Sequence, residues 1–156
     1  MALQSLSIRD MAVYQNGTAG WQVDSAFDVT LDTKNPNTVA GCFTTIRRVV
    51  MRVEYKGQTI VQQNVPVGFG LKPHTSRPVT MALQGQQFPL KNPDLGPYLQ
   101  AEMERGNVTM DIYFHARYLR NDRLVRWKRR GCVVVASAPS PSNSSSSLLS
   151  QKCYPV

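Results

Sequence analysis

The chain has 156 residues, of which 18 are Lys or Arg and 10 are Asp or Glu, so its formal net charge is +8. Hydrophobic residues make up 42% of it, which excludes wholesale disorder and is typical of one domain with its own core. The positive charge favours acidic partners, which include nucleic acid, anionic lipid headgroups and acidic polysaccharide. No apolar run reaches the ~20 residues of a membrane-spanning helix, so the sequence predicts none.

The first part of the chain alternates between apolar and polar residues, and this period of two predicts β-strands. We expect a short first strand at residues 6–14 and a second strand at residues 27–32. The second strand ends at Asn35-Pro36-Asn37. Pro36 lacks the N–H that a strand ladder needs, and asparagine tolerates turn geometry.

The same alternation continues in the middle and at the end of the chain. Residues 49–55 form a strand, and the turn at residues 55–58 leads into a partner strand at residues 59–61, which makes a hairpin. Further strands are predicted at residues 76–83, 108–118 and 124–136. The last two are joined by a turn at Asn121-Asp122.

One segment between these strands is predicted to be helical. Asn92 is a candidate N-cap, with Pro93 at the first helical position. Apolar residues then recur at every fourth position from Leu95 to Met103, and Gly106 ends the run. Several short strands with one short helix predict a mainly-β fold, an antiparallel β-sandwich of the immunoglobulin or fibronectin-III kind.

The C-terminal segment differs from the rest in composition. Its serines and prolines cannot bury enough apolar surface to offset the entropy lost on ordering. We therefore expect residues 1–136 to form the domain and residues 137–156 to be a disordered, Ser- and Pro-rich tail.

The order of these features resembles one protein family. A strand that ends in Asn35-Pro36-Asn37 is followed by the hairpin at residues 55–57, the helix, the long strand at 108–118 and a last strand that holds Cys132. This order is similar to the second subgroup of late embryogenesis abundant proteins, and within it to the plant non-race-specific disease resistance and harpin-induced-like proteins. The resemblance covers residues 5–136, and Asn35, Pro36 and Asn37 are its family motif.

This resemblance implies a β-sandwich without catalytic residues or cofactors that acts in plant stress responses, defence or the hypersensitive response. It also implies a glycoprotein associated with the plasma membrane, with this domain on the extracellular side. No membrane helix precedes residue 6, so a soluble cytoplasmic protein is the alternative. The expected partners are a protein or an acidic surface of the cell wall or membrane.

A basic run at the last predicted hairpin is the strongest chemical signal in the sequence. The candidate surface for an acidic partner consists of Arg117, Arg120, Arg123, Arg126, Lys128 and Arg130. Alternation predicts that Arg126, Lys128 and Arg130 share one face of the last strand, with Val125 and Trp127 on the other. Two interpretations stay open. The cations protect a sheet edge from pairing with another chain, or they bind an acidic partner, for which wall polysaccharide is the better candidate outside the cell.

Other motifs that would indicate chemistry are missing from the sequence. There is no nucleophile, phosphate-binding or metalloprotease motif, so we expect no enzyme activity and no small-molecule substrate. Three scattered cysteines and two histidines do not predict a metal site. One disulfide can form in an oxidising compartment, for example Cys42–Cys132, with Cys153 left over. Three N-x-[ST] sequons would accept glycans on a secreted chain: Asn16, Asn107 and Asn143.

These features predict a non-enzymatic binding domain of a plant stress- or defence-response protein. One alternative is a soluble protein that protects other components during desiccation or other abiotic stress. A basic nucleic-acid-binding domain is a weaker alternative. Tyr113, Tyr118 and Trp127 lie beside arginines and could stack on bases, but the sequence has no recognition-helix or RNP-type pattern.

Overall fold

The computed structural model describes residues 1–121, 123–140 and 146–156, with the backbone alone for residues 124–128. Within these residues it contains one α-helix, as the single helical segment predicts, and eight β-strands, seven of which correspond to strands that the alternation predicts. The strands are β1 (Ala2–Asn16), β2 (Gly20–Lys34), β3 (Thr44–Tyr55), β4 (Gln58–Leu71), β5 (Ser76–Pro89), β6 (Asn107–Arg120), β7 (Arg123–Ser137) and β8 (Leu148–Pro155). The helix α1 (Leu95–Arg105) lies between β5 and β6, and a 3₁₀ turn (Gly17–Ala19) joins β1 to β2.

The strands form two antiparallel sheets that pack on each other. The smaller sheet has the order β1-β2-β5, and the larger has the order β4-β3-β6-β7-β8. A cluster of buried apolar side chains from both sheets makes the core. The fold is therefore the mainly-β antiparallel sandwich that the sequence predicts.

Burial follows the alternation of the sequence. In β6, every second residue from Val108 to Ala116 is buried, and the residues between them are partly or fully exposed. Phe27, Val29 and Leu31 of β2 are likewise buried. Each such apolar side chain contributes about 1.5–3 kcal/mol on burial, so the period-two pattern fixes which face of each strand turns inward.

The connections around α1 and β3 follow local backbone chemistry. Lys56 and Gly57 join β3 to β4 with φ of 47° and 79°, which is the primed turn that suits the twist of a two-residue hairpin. The helix ends as predicted at Gly106, whose φ is 93°. Its start was predicted wrongly: the N-cap is Asp94, and the Asn92 side chain accepts a hydrogen bond from the Asp94 amide at 3.0 Å. Asn92 thus closes the turn that precedes the helix.

The C-terminal segment is ordered over much of its length, so the prediction of a disordered tail from residue 137 is wrong for β8. This strand pairs with β7 from Leu148↔Ala136 to Pro155↔Arg130. Gln151 donates a hydrogen bond from Nε2 to the Leu3 carbonyl at 3.1 Å. The buried Ser146 hydroxyl accepts one from the Ile8 amide. Composition missed this order because the stabilising contacts are hydrogen bonds and a covalent bond, not apolar burial.

The disulfide also differs from the predicted example. Cys132 bonds to Cys153, its direct partner in the β7–β8 register, across a Cα–Cα distance of 4.0 Å. Cys42 is a free, half-buried thiol in the loop between β2 and β3. The Cys42–Cys132 pairing is therefore wrong, because β8 brings Cys153 directly beside Cys132.

The segment Asn35-Pro36-Asn37 does more than end β2. Asn35 is fully buried, and its Nδ2 donates to the carbonyls of Cys42 at 2.9 Å and Leu71 at 3.0 Å. Its Oδ1 accepts from Asn37 Nδ2 at 2.7 Å. The Asn35 amide donates to the carbonyl of Thr75 at 3.0 Å. This set of contacts, the Asn35 clamp, joins the β2–β3 loop to both ends of the β4–β5 connection.

The Asn35 clamp gives a stability prediction. Asn35→Ala should lower the free energy of unfolding by about 2–4 kcal/mol, since the buried carbonyls of Cys42 and Leu71 lose their donor. The matched control is Asn64→Ala, on the exposed face of β4, with an expected change within about 0.5 kcal/mol. Urea unfolding of both variants measures the difference, and equal losses would contradict a structural role for the clamp.

The disulfide gives a second stability prediction. Cys153→Ser should cost about 3 kcal/mol, because the bond closes a loop with a sequence separation of 21. Cys42→Ser is the control and should cost less than about 1 kcal/mol. Thermal unfolding compares the variants. Alkylation of the protein unfolded without a reductant should modify one thiol; modification of three thiols would show that the bond does not form.

Candidate anion-binding face

The outer face of the five-stranded sheet, turned away from β1, β2 and β5, carries a set of basic side chains. Strand pairing arranges them in rows across β3, β6 and β7. Arg52 lies opposite Tyr113, and Arg48 lies opposite Arg117. His115 lies opposite Arg129 in the β6–β7 pairing. We call Arg48, Arg52, His115, Arg117 and Arg129 the basic face.

Arg48 and Arg117 are the most unusual pair in this set. Both are exposed and occupy directly opposed positions of neighbouring strands. Opposed side chains lie about 4.5–5.5 Å apart at Cβ, so like charges there destabilise the sheet. Neither has an ion pair within the part of the chain that the structure describes. The pair therefore leaves positive charge available to an anion from outside.

Arg52 is held in a fixed orientation. Its Nε bonds to Oε1 of Glu54, two residues along β3, at 2.8 Å. Its guanidinium carbon lies 5.0 Å from the centre of the Tyr113 ring, in a cation–π contact. The Arg52 side chain is nevertheless 44% exposed, so its guanidinium is accessible to an anion from outside. A guanidinium presents its donors in a planar fork that fits carboxylates and phosphates.

β8 adds an aromatic side chain beside this row. Tyr154 lies over Gly131, where a Cβ would come within 2.7 Å of the Tyr154 ring. The hydroxyls of Tyr154 and Tyr113 share a hydrogen bond, with their oxygens 3.4 Å apart. That contact, and then burial, raise the pKa of Tyr113 to about 12. The Tyr113 hydroxyl therefore stays protonated at neutral pH. Tyr113 and Tyr154 lie next to each other beside Arg52, and we call this pair of residues the Tyr113–Tyr154 shelf.

A shallow depression of about 240 Å³ lies among these residues. Its walls include Arg52, Tyr113, His115 and Arg129, and Val156 lies at its rim. Burial lowers the pKa of His115 from 6.5, and the charges of Arg129 and Arg52 lower it further. The neutral histidine can then donate or accept a hydrogen bond, while the arginines supply the charge.

The residues predicted from the basic run are only partly brought together. Arg117 is in the basic face, and Arg120 and Arg123 are exposed at the β6–β7 hairpin, with Arg120 Nη2 donating to Cys42 Sγ at 3.4 Å. Arg130 is exposed but alternates with Arg129, and it shares the strand face of Cys132. The side chains of Arg126 and Lys128 lie outside the described residues, as do those of Val125 and Trp127.

Other sequence-based candidates have the following positions. Asn16 is exposed at the end of β1 and Asn107 is exposed at the start of β6, so both sequons are accessible, whereas Asn143 lies outside the described residues. Among the described residues no group of His, Cys, Asp and Glu side chains is arranged to hold a metal ion. None of the described helices is long and apolar enough to cross a membrane.

Sequence reasoning missed Arg48, Arg52, His115 and Tyr154 as members of the site. Arg48 and Arg52 lie far from the basic run in sequence and join it because β3 pairs with β6. Tyr154 lies in the segment that the sequence predicts to be a disordered tail. The alternation of Arg48, Val50 and Arg52 on the polar face of β3 was the available signal for part of this set.

Comparison with known proteins adds little to this description. No family model and no curated protein matches the chain. Among solved structures, a crystal structure of a protein from Archaeoglobus fulgidus aligns over 99% of this chain and 98% of that chain, with 10% identity and a TM-score of 0.47. The resemblance to late embryogenesis abundant proteins therefore stays a prediction.

The environment of His115 gives a testable pH dependence. Since its pKa is lowered in the folded protein, the unfolded chain binds the proton more readily, so this residue should reduce stability as the pH falls below 6.5. NMR titration should place the His115 midpoint below 6.5. His115→Gln should remove this part of the acid-side slope of the unfolding free energy. A midpoint above the ordinary histidine value in ligand-free protein would contradict the described environment.

Proposed function

We propose that the chain is a binding domain that acts without turnover and takes an anionic partner on the basic face. The observation that carries this proposal is the opposed pair Arg48 and Arg117, for which the described residues offer no carboxylate partner. Like charges in this position destabilise the sheet. An anion bound between them would replace that repulsion with two attractive contacts.

The disulfide indicates the kind of compartment in which the domain would meet such a partner. Disulfides persist in oxidising compartments and are rare in the cytosol, and Cys132–Cys153 joins two neighbouring strands. A location on the extracellular side of the plasma membrane, as the resemblance implies, agrees with this bond. Within this proposal the domain serves a plant stress or defence response, and Asn16 and Asn107 are accessible to glycans.

Binding to a simple polyanion tests the proposal. The double variant Arg48→Gln/Arg117→Gln should bind dextran sulfate at least about tenfold more weakly than the unchanged protein at low salt, since two charge-assisted contacts are lost. Binding should also weaken as salt rises, because exposed charges are screened. Fluorescence titration with labelled dextran sulfate measures both effects.

A matched variant controls for net charge. Lys34→Gln/Lys91→Gln also removes two positive charges, but from exposed positions outside the basic face. It should change the affinity by less than about threefold, the scale of weak, screened surface charges. If both double variants lose the same affinity, binding depends on net charge alone and the basic face is not the site. If the unchanged protein does not bind at low salt, the proposed function is wrong.

A further inference from the structure

The depression beside the Tyr113–Tyr154 shelf combines two kinds of recognition in one place. Arg52 and Arg129 approach it from β3 and β7, on either side of the β6 residues Tyr113 and His115. The arginines offer charged donors, and the aromatic rings offer flat apolar surface. A ligand that satisfies both carries an anionic group next to a ring with an apolar face.

The shape of the surface further restricts the class of ligand that can bind. The depression of about 240 Å³ is too small for a folded domain and lies on the open face of a sheet. The row of Arg48 and Arg117 continues the positive charge along the strands, about 7 Å from the row of His115 and Arg129. A chain of repeating anionic units can therefore place one unit in the depression and the next charges along the basic face.

We propose that this depression is a subsite for one uronic acid residue of an acidic polysaccharide, whose carboxylate binds Arg52 and Arg129 while its pyranose ring lies on the Tyr113–Tyr154 shelf. This inference rests on the proposed function and names the chemical class of its partner. Arginine forks bind carboxylates in two parallel hydrogen bonds.

Single-stranded nucleic acid is the competing polymer, since bases also stack on aromatic rings and phosphates also bind arginine. One observation favours the polysaccharide. The disulfide that fixes β8, and with it Tyr154, forms in oxidising compartments.

The subsite requires β8 in place. Gly131 leaves room for the Tyr154 ring, and Cys153 precedes Tyr154 by one residue and is bonded to β7. Tyr154 thus cannot move far from Tyr113 while the bond is intact. Gln151 and Cys153 attach β8 to β1 and β7. The side chain of Tyr154 alternates with theirs, lies beside Tyr113 and is the one that contacts the proposed ligand.

The experiment compares short oligogalacturonate with its fully methyl-esterified form by isothermal titration calorimetry. The free acid should bind the unchanged protein, and the ester should bind at least about tenfold more weakly because its carboxylates are neutral. Arg129→Gln should weaken binding of the free acid at least about tenfold. Lys91→Gln, at an exposed position between β5 and α1, is the matched control and should change it less than about threefold.

Aromatic variants separate ring stacking from charge. Tyr154→Ala should weaken oligogalacturonate binding about fivefold or more but leave dextran sulfate binding unchanged, and Tyr154→Phe should keep both, since the ring is retained. Tyr154→Ala is compared only after mass spectrometry confirms the Cys132–Cys153 bond. If Tyr154→Ala disturbs β8, the pair Tyr154→Phe and Arg129→Gln still tests the subsite through the carboxylate.

The outcomes distinguish this inference from the function on which it rests. If the protein binds dextran sulfate but does not bind oligogalacturonate, the uronate subsite is overturned and the proposed anion binding by the basic face still stands. Equal binding of acid and ester would also overturn it. An oligothymidylate that binds more tightly than oligogalacturonate at 150 mM salt, with the same dependence on Arg129 and Tyr154, would assign the site to nucleic acid. Absence of binding to every polyanion would overturn both proposals.

Discussion

The buried side-chain amide of Asn35 joins the loop between β2 and β3 to the connection between β4 and β5. Asn35 directly follows β2 of the smaller sheet. Its Nδ2 donates to the carbonyl of Cys42 in the β2–β3 loop and to that of Leu71 at the end of β4 in the larger sheet. Unpaired carbonyls in such a place would each cost about 1–3 kcal/mol. An apolar side chain could fill the space but could not donate, and aspartate would place a charge among acceptors. The clamp thereby sets where β3 begins, and the position of β3 determines the rows of the basic face.

The basic face is a property of strand order more than of composition. β3 and β6 are separated in sequence by two strands and a helix, yet they are neighbours in the larger sheet. This pairing sets Arg48 against Arg117 and Arg52 against Tyr113. β8 then extends the face, and it is attached to the core by the Cys132–Cys153 bond and by a hydrogen bond from Gln151 to β1.

Much of the fold could be predicted from alternation, because burial acts on every second residue of each strand. The hairpin at Lys56-Gly57 and the end of α1 at Gly106 were also readable, since both need backbone conformations that glycine tolerates. β8 could not be predicted, because its residues are mostly polar and its order depends on partners far away in sequence. For the same reason the basic run indicated Arg117, but not the arginines of β3 that complete the face.

The opposed pair Arg48 and Arg117 affects the surroundings in which the folded domain is most stable. Their mutual repulsion is part of the folded state, and an anion that lay between them would relieve it, so a ligand of the proposed kind would bind the native chain and not the unfolded one. Such a ligand raises stability in proportion to the logarithm of its concentration. In a matrix dense in fixed negative charge the domain would resist heat and proteolysis better than in dilute buffer. Its lifetime would then depend on the density of anionic groups around it.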